Sequence, residues 1–462
     1  MNKRVRAVIL GFGLIFGFSF AKAAGFQTAS AISIDTWKNA DGSTVSLVSR
    51  HELPIVNIQV SFKQAGTAAD SKTDVASFTA SLLATGTQQL DEEKLREEAN
   101  RLGITIASKA GTDFAGVNLL SLSREDTLQP ALVLMNQVIT QPSFDEKVLQ
   151  RNQAQAVSAL KQQESSPAFL GGRAMAKLNY EDHPYANASE TSAATLSAVT
   201  RWDLQDFHRR RYAKDNAYIA IVGDVTKPQA QAISKQLLDG LPEHAEPQPA
   251  VPPVPSRKGR SERITFEGKE QTVVLMGLPF MTQKDPDRHA LAVGNYILGG
   301  GGFDSRLMKT LRDEKGLVYG VSSSLSQNEQ KAPFDISFST KKDEAATALA
   351  AAHKVLADFI ANGPTEAELQ QAKDYLTGSF PLRFDTNAKL LPYVVRAGIY
   401  QRDADYLNRY NAEIMKVTAE QVRETWQRRL KLDELNVVVV GGTEKLSAAK
   451  KAGKKAAKQK KQ

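Results

Sequence analysis

Residues 298–324 read LGGGGFDSRLMKTLRDEKGLVYGVSSS, and the fold prediction depends on this stretch. It begins with four glycines that follow an apolar run and stop a helix, because glycine allows backbone shapes closed to other residues: Gly299, Gly300, Gly301 and Gly302. Asp304 or Ser305 then caps a second helix, which ends at Lys315-Gly316. Three apolar residues recur in that helix at four-residue spacing: Phe303, Leu307 and Leu311.

The residues after this helix alternate as a strand does. Leu317, Tyr319 and Val321 fall on one face, and the residues between them fall on the other. Arg312 lies in the last turn of the helix, and Tyr319 lies early in the strand. We therefore expect a planar cation and a phenol near one surface.

The rest of the chain contains two similar series of segments. Residues 44–50 and 55–62 alternate apolar and polar positions as strands do, and a helical apolar stripe begins at Thr73. The first series ends in YIAIVGDVTK, residues 218–227, and the second ends in LNVVVVGGTEK, residues 435–445, which echoes it. Self-similarity over roughly 200 residues indicates two related domains.

A proline-rich segment, residues 243–263, separates the two series. It holds five prolines and many charges between apolar elements, as stiff linkers do. The sequence therefore predicts an α+β fold with two homologous, separately packed domains, residues 24–242 and 264–444. Each domain is expected to be a mixed β-sheet with helices packed on it.

The first 23 residues predict a cleaved export leader. Basic residues precede an apolar run, residues 7–20, and Ala21-Lys22-Ala23 fits a small-residue cleavage signal. The chain contains no cysteine, so neither a lipid at that site nor a disulfide is expected. An exported, cysteine-free chain of this length favours a bacterial periplasm, because large cores do not need covalent crosslinks.

The formal net charge of +8 comes from the two ends of the chain. The leader carries four of the 59 basic residues and the tail, residues 445–462, carries eight, which leaves 47 basic against 51 acidic residues in 24–444. A slightly acidic body argues against nucleic-acid binding. The lysine-rich tail is expected to be solvated, and the alternative is contact with an anionic envelope surface such as lipid phosphates.

Composition also argues against two kinds of site within the chain. The six histidines are scattered, none within a helical turn of another: His51, His183, His208, His244, His289 and His353. Without cysteine, a zinc site would need residues from distant segments. The glycine run does not predict a phosphate site, because no Gly-Lys-Ser/Thr follows and Asp304 and Ser305 break the GxGxxG spacing.

The chain resembles the insulinase-type zinc peptidases (pitrilysin-like, peptidase M16), which include mitochondrial processing peptidase and the core subunits of the respiratory bc1 complex. The most specific segment is SRLMKTLRDEKGLVYGVSSS, where the serine, arginines, glycine and tyrosine have the family's order and spacing. LPIVNIQVSFKQAGTAAD, DVASFTASLLATGT, HPYANAS and YIAIVGDV extend the resemblance over nearly all of the chain after the leader. It implies that the two domains together form half of a clam shell that closes around a peptide.

The chain departs from the family at its catalytic motif. Active members carry His-x-x-Glu-His on a helix, where two histidines bind zinc and the glutamate activates water. The matching positions here are Ser77, Ala80 and Ser81, and residues 157–160, VSAL, stand near the family's further glutamate ligand. No catalytic residue, metal or cofactor is therefore expected in this chain.

Arg312 and Tyr319 have two interpretations. Residue chemistry alone favours structural roles, a cation at a helix end and an aromatic packed at a strand start. The resemblance instead implies that the pair holds the substrate backbone and the carbonyl near the scissile bond, while the four glycines let the substrate backbone pass.

The sequence therefore predicts a non-catalytic, peptide-binding subunit of a periplasmic metallopeptidase. Its expected partner is a zinc-bearing homologue with His-x-x-Glu-His, and the chain alone is not expected to hydrolyse peptides. The alternative is a stand-alone peptide-binding or scaffold protein of the same fold.

Overall fold

The computed structural model describes residues 31–266 and 271–441, which form two mixed β-sheets with helices packed on them. The predicted leader, residues 1–23, and the lysine-rich tail, residues 445–462, lie outside the described residues. The predicted α+β class with two sheets is confirmed. Within the described ranges, no helix combines the length and apolar character needed to cross a membrane.

The first sheet has six strands in the order β1-β2-β6-β3-β5-β4. Its strands are β1 Asp35–Lys38, β2 Thr44–Ser49, β3 Ile55–Lys63, β4 Thr105–Ala110, β5 Phe114–Leu122 and β6 Ala217–Gly223. Strands β2 and β6 pair in parallel, and the other neighbours pair antiparallel. The alternation predicted for β3 places Val56, Ile58 and Val60 in the core.

The helices of the first half, which comprises the residues before the proline-rich segment, all follow β3 in the sequence. They are α1 Val75–Leu83, α2 Glu92–Leu102, α3 Glu125–Thr140, α4 Glu146–Gln163, α5 Pro167–Tyr180, α6 Ala193–Ala198, α7 Arg201–Arg211 and α8 Lys227–Leu238. Except for α5, their apolar faces join one core with the inner face of the first sheet.

The second sheet has five strands in the order β7-β11-β8-β10-β9. Its strands are β7 Ser261–Ile264, β8 Gln271–Met281, β9 Val318–Leu325, β10 Ala332–Lys341 and β11 Asn436–Val440. Its helices are α9 Arg288–Asn295, α10 Arg306–Met308, α11 Ala345–Asn362, α12 Glu366–Gly378, α13 Asn387–Ile399, α14 Tyr406–Lys416 and α15 Ala419–Arg429. Strand β9 is an edge strand.

The two sheets share one topology over five strands, and β1 is an additional strand at the edge of the first sheet. In each sheet the last strand pairs in parallel with an early strand, β6 with β2 and β11 with β7. That last strand also pairs antiparallel with a long central strand, β3 or β8. The resemblance between YIAIVG, residues 218–223, and LNVVVVG, residues 435–441, therefore reflects equivalent positions in the two sheets.

Each half places one helix on the other half's sheet. Helix α13 packs on the first sheet, where Leu390 and Val394 join Val48 and Val222 in one cluster. Helix α5 packs on the second sheet through Ala174 and Met175. The sequence predicted two separately packed halves. The structure differs, because each sheet buries its second face under a helix of the other half.

Both exchanged helices approach their sheets through glycine. A Cβ at Gly171 of α5 would lie 2.6 Å from the Leu275 side chain, and one at Gly398 of α13 would overlap the ring of Tyr218. Any larger residue at either position would push the helix away from the strands. The closeness of these contacts explains why each helix is fixed on the opposite sheet.

A buried carboxylate also joins the halves. Asp113, in the turn between β4 and β5, accepts hydrogen bonds from the hydroxyls of Tyr185 (2.5 Å) and Tyr400 (2.6 Å) and from the backbone N–H of Glu329 (2.8 Å). Burial, and after it the charge of Asp113, raise the pKa of both tyrosines. The two hydroxyls therefore stay protonated as donors, and Asp113 ties the second half to the first.

The proline-rich segment is packed rather than free. Val254 is buried with Ala68, Tyr180 and Tyr185, and the carbonyl of Pro252 lies 2.8 Å from Nε2 of His183. The segment therefore lies along the first half before the chain enters β7.

Candidate functional site

Helix α1 carries the three positions where the zinc motif would fall. Ser77 and Ser81 lie one turn apart and are exposed, whereas Ala80 is fully buried. The Ser81 hydroxyl donates to the carbonyl of Phe78 at 3.1 Å, and the Ser108 hydroxyl donates to the carbonyl of Ala80. These residues offer neither imidazole nor carboxylate, so they do not fit a zinc ion.

The region of the further ligand does not fit either. Residues 157–160 lie in α4 without a carboxylate, and Glu164, at the end of α4, faces Arg173 at 3.5 Å. Across residues 31–266 and 271–441, no three histidine, aspartate or glutamate side chains are grouped so as to hold a metal ion.

The most buried histidines have structural partners. His183 accepts the N–H of Tyr185 at 3.1 Å, and Nε2 of His208 lies 2.7 Å from the carbonyl of Ile139. Burial lowers the pKa of His208 to about 4, so the ring is neutral at physiological pH. Both rings therefore stabilise the fold.

The glycine run begins inside a helix. Helix α9 continues as a π-helical turn, Tyr296–Gly300, instead of stopping at the first glycine. A Cβ at Gly299 would lie 2.6 Å from Oγ of Ser323 on β9, so this glycine allows helix and sheet to pack closely. Gly302 has a φ of +60° and open space around it. Among the four glycines, it is Gly302 that borders the groove described below.

The second helix starts at one of the two predicted caps, but its buried stripe does not include Phe303. Ser305 is its N-cap, and the Ser305 hydroxyl donates to the carbonyl of Gly302 at 2.7 Å. Leu307 and Leu311 are buried as expected, but Phe303 is 67% exposed. Phe303 belongs to a short 3-10 turn, Gly302–Asp304, so the assignment of Phe303 to the helix's buried stripe was wrong.

The helix also changes its winding before Arg312. After three α-helical residues it continues as a π-helix, Lys309–Glu314, and Gly316 turns the chain with a φ of +60°. The predicted stop at Lys315-Gly316 is confirmed. Wide turns of this kind often occur at functional sites, and here one carries Arg312.

A β-bulge sets the direction of Tyr319. Val318 pairs with Thr340 and Val321 with Phe338, so two residues of β9 lie opposite one residue of β10. Val318 and Val321 are consequently both buried, and Tyr319 is 90% exposed. The predicted grouping of Tyr319 with Val321 on one face was wrong, because regular alternation does not foresee a bulge.

The structure brings three side chains together at this point, which we call the aromatic–arginine cluster: Phe303, Arg312 and Tyr319. The guanidinium carbon of Arg312 lies 4.7 Å from the ring centre of Phe303 and 5.5 Å from that of Tyr319. The sequence predicted the meeting of Arg312 and Tyr319 but missed Phe303. The available signal was its place between Gly302 and the cap Ser305, outside the helix.

An open groove of about 940 Å³ adjoins the cluster. It lies over the part of the second sheet beyond α5, and its lining includes apolar side chains, serines and Tyr319 itself: Val273, Leu275, Met308, Ser322 and Ser337. The groove combines apolar surface with hydroxyl donors beside an edge strand, which suits an extended peptide.

Comparison with known proteins places the chain in a family. The model described as the peptidase M16 inactive domain matches residues 198–376. The crystal structure of a peptidase M16 inactive domain from Pseudomonas fluorescens is 31% identical, with a TM-score of 0.85, and the match covers 89% of this chain and 98% of that one.

Two further relatives extend the comparison. A protein of Helicobacter pylori described as the non-peptidase homolog YmxG is 23% identical over 399 residues, covering 86% of this chain and 91% of its own. The periplasmic protease PqqL of Escherichia coli has a TM-score of 0.72 at 18% identity, and the match covers 96% of this chain and 49% of PqqL. At that identity the similarity concerns the fold.

Proposed function

Because the chain belongs to the peptidase M16 family, we propose that it is the non-catalytic, substrate-binding subunit of a heteromeric zinc metallopeptidase in the periplasm. The partner carries zinc on a His-x-x-Glu-His motif, and this chain supplies Arg312 and Tyr319 to the shared active site. Its similarity to an inactive domain and to a non-peptidase homologue supports the proposal. So does the absence of imidazole and carboxylate at Ser77, Ala80 and Ser81.

The observation that carries the proposal is the exposure of Tyr319 beside Arg312 at the rim of an open groove. A tyrosine hydroxyl directed at a peptide carbonyl donates to the oxygen on which negative charge develops during hydrolysis. A guanidinium holds a neighbouring oxygen of the peptide through its planar fork of donors. Both groups act without a nucleophile of their own, so they are useful only next to a partner that activates water.

Two segments outside the described residues complete the proposal. The leader, residues 1–23, directs the chain to the periplasm, and the lysine-rich tail, residues 445–462, is available to an anionic envelope surface. Removing the tail should therefore leave peptide binding intact and reduce only retention on anionic vesicles.

Reconstitution tests the proposal. The mature chain is mixed with the His-x-x-Glu-His homologue from the same genome, and hydrolysis of a quenched fluorescent peptide library is followed for each protein and for the pair. We expect full activity only when both proteins are present, and we expect the two proteins to co-elute in size-exclusion chromatography. Full activity of a pair that contains Arg312→Ala/Tyr319→Phe would refute the shared active site and favour the scaffold alternative.

A further inference from the structure

Among the residues that the structure describes, no carboxylate pairs with the cation of the aromatic–arginine cluster. We propose that Arg312 binds a carboxylate of the peptide and that Phe303 is a positioning residue that holds the guanidinium ready for it. The inference deepens the proposed function by naming a substrate class, peptides with a carboxylate at this site. It depends on that function only in requiring that the chain binds peptides.

The first step is the missing partner of Arg312. Two other partly buried arginines of the second half are paired with carboxylates: Arg306 meets Glu368 at 2.7 Å, and Arg429 meets Asp285 at 2.7 Å. Within the described ranges, no carboxylate forms an ion pair with Arg312, and its guanidinium donates no hydrogen bond to another described residue. Arg312 instead packs against the rings of Phe303 and Tyr319. The rings attract its positive charge, but they accept no hydrogen bond in the plane of the guanidinium.

The second step is the charge of the groove. Lys341 and Glu344 stand at its lining and face each other at 3.6 Å, so these two charges offset each other. Arg312 lies 5.5 Å from the ring of Tyr319, which also lines the groove. A ligand that reaches Tyr319 therefore comes close to a guanidinium that forms no ion pair with a described residue.

The third step is the choice of acceptor. A guanidinium matches a carboxylate with two parallel N–H···O bonds, which add both energy and geometric specificity. A backbone carbonyl satisfies the geometry but leaves the charge uncompensated. The carboxylate is therefore the better ligand, whether it belongs to an acidic side chain or to a chain terminus.

The fourth step is the role of Phe303. Its ring is 67% exposed and lies nearer to the guanidinium than the ring of Tyr319 does. The bond from the Ser305 hydroxyl to the carbonyl of Gly302 fixes the turn that presents it. Phe303 therefore limits the rotamers of Arg312 before the ligand arrives, which reduces the entropy lost on binding.

The test measures fluorescence anisotropy of labelled pentapeptides on the mature chain alone. The peptides are Ala-Ala-Asp-Leu-Ala amide, the same amide with Asn in place of Asp, and the Asn peptide with a free terminal carboxylate. We expect the Asp amide to bind about tenfold or more tightly than the Asn amide. Comparing the Asn amide with the Asn free acid shows whether a terminal carboxylate serves as well as the side chain. Equal or undetectable binding of all three would overturn the inference, whereas the activity of the reconstituted pair would still decide the proposed function.

Variants locate the effect. Arg312→Ala should abolish the preference for carboxylate, and Arg312→Lys should keep only part of it because the fork is lost. Phe303→Ala should lower the ratio of the affinity for the Asp peptide to that for the Asn peptide several-fold, and Phe303→Tyr should restore this ratio. Leu382→Ala is the matched control, because it removes an equally exposed side chain elsewhere, and it should leave the ratio unchanged. An unchanged ratio in Phe303→Ala would exclude a positioning role, even if affinity for every peptide fell.

Discussion

Glu368→Gln should destabilise the second half, because Glu368 anchors the segment that leads to Arg312. Arg306, at the start of that segment, donates two hydrogen bonds of 2.7 Å to Glu368 and a third, of 2.8 Å, to the carbonyl of Gly363. Glu368 also accepts the N–H of Thr365 at 2.8 Å, which caps α12. The substitution keeps the shape of the side chain and removes its charge.

The magnitude follows from the acidity of Glu368. Burial acts to raise its pKa, but hydrogen bonds from Arg306 and Thr365 outweigh burial and lower the pKa from 4.5 to about 2. Such a difference corresponds to about 3 kcal/mol in the absence of screening. Because the carboxylate is partly exposed, we expect about 1–2 kcal/mol of the free energy of unfolding at pH 7.

The sign of the pH dependence also follows. A pKa lowered by folding gives a contribution that is fully present above the unfolded pKa near 4.5 and is lost as the pH falls toward 2. The difference between the wild type and Glu368→Gln should therefore shrink to roughly half near pH 3.

Urea unfolding at about pH 7 and pH 3, followed by tryptophan fluorescence, to which the buried Trp426 contributes, measures this difference. Trp426 is buried and lies 5.4 Å from the ring of Phe359, against which Arg306 also packs. Asp358→Asn is the matched control, because Asp358 and Lys354 form an exposed pair. Equal stability of Glu368→Gln and the wild type at pH 7, or a difference that does not shrink in acid, would refute the reasoning.

The mature chain alone should show no metal-dependent hydrolysis, and chelator-sensitive cleavage with stoichiometric zinc by elemental analysis would contradict this. In the reconstituted pair, Tyr319→Phe should lower kcat about a hundredfold, with unchanged elution in size-exclusion chromatography, whereas Arg312→Ala should mainly raise KM. Asp113→Ala should reduce the free energy of unfolding by about 3 kcal/mol, because it leaves two buried hydroxyls and one partly buried N–H unpaired, and Tyr400→Phe by about 1 kcal/mol, both measured by urea unfolding. Gly398→Ala should cost about 1–3 kcal/mol in the same assay because of overpacking against the first sheet, and a neutral effect would contradict the close approach.

The sheets were predictable because their signals are local. Alternation in residues 55–62 and the apolar run 218–222 specify strands whichever neighbours they acquire. The packing of α5 and α13 on the opposite half's sheet was not predictable. An amphipathic pattern predicts that a helix packs against something, but it does not predict which sheet the helix packs on. Asp113 was missed for the same reason, because its partners Tyr185 and Tyr400 are distant in sequence.

The candidate site was partly predictable. The burial of Leu307 and Leu311 and the meeting of Arg312 with Tyr319 follow from spacing. Residue spacing did not predict two local irregularities, the 3-10 turn that exposes Phe303 and the bulge that exposes Tyr319. Both depend on backbone hydrogen bonds that residue periodicity does not specify.

The exposure of the cluster allows its function to be tested separately from folding. Tyr319 is 90% exposed, so removing its hydroxyl changes almost no buried surface, and the free energy of unfolding should stay the same. Helix α1 is the contrasting case, because Ala80 is fully buried and a larger residue there would disturb the core as well as the surface. A loss of turnover in Tyr319→Phe, or of peptide binding in Arg312→Ala, at unchanged stability therefore assigns these side chains to substrate recognition and turnover, whereas a parallel loss of function and stability would assign them to the fold.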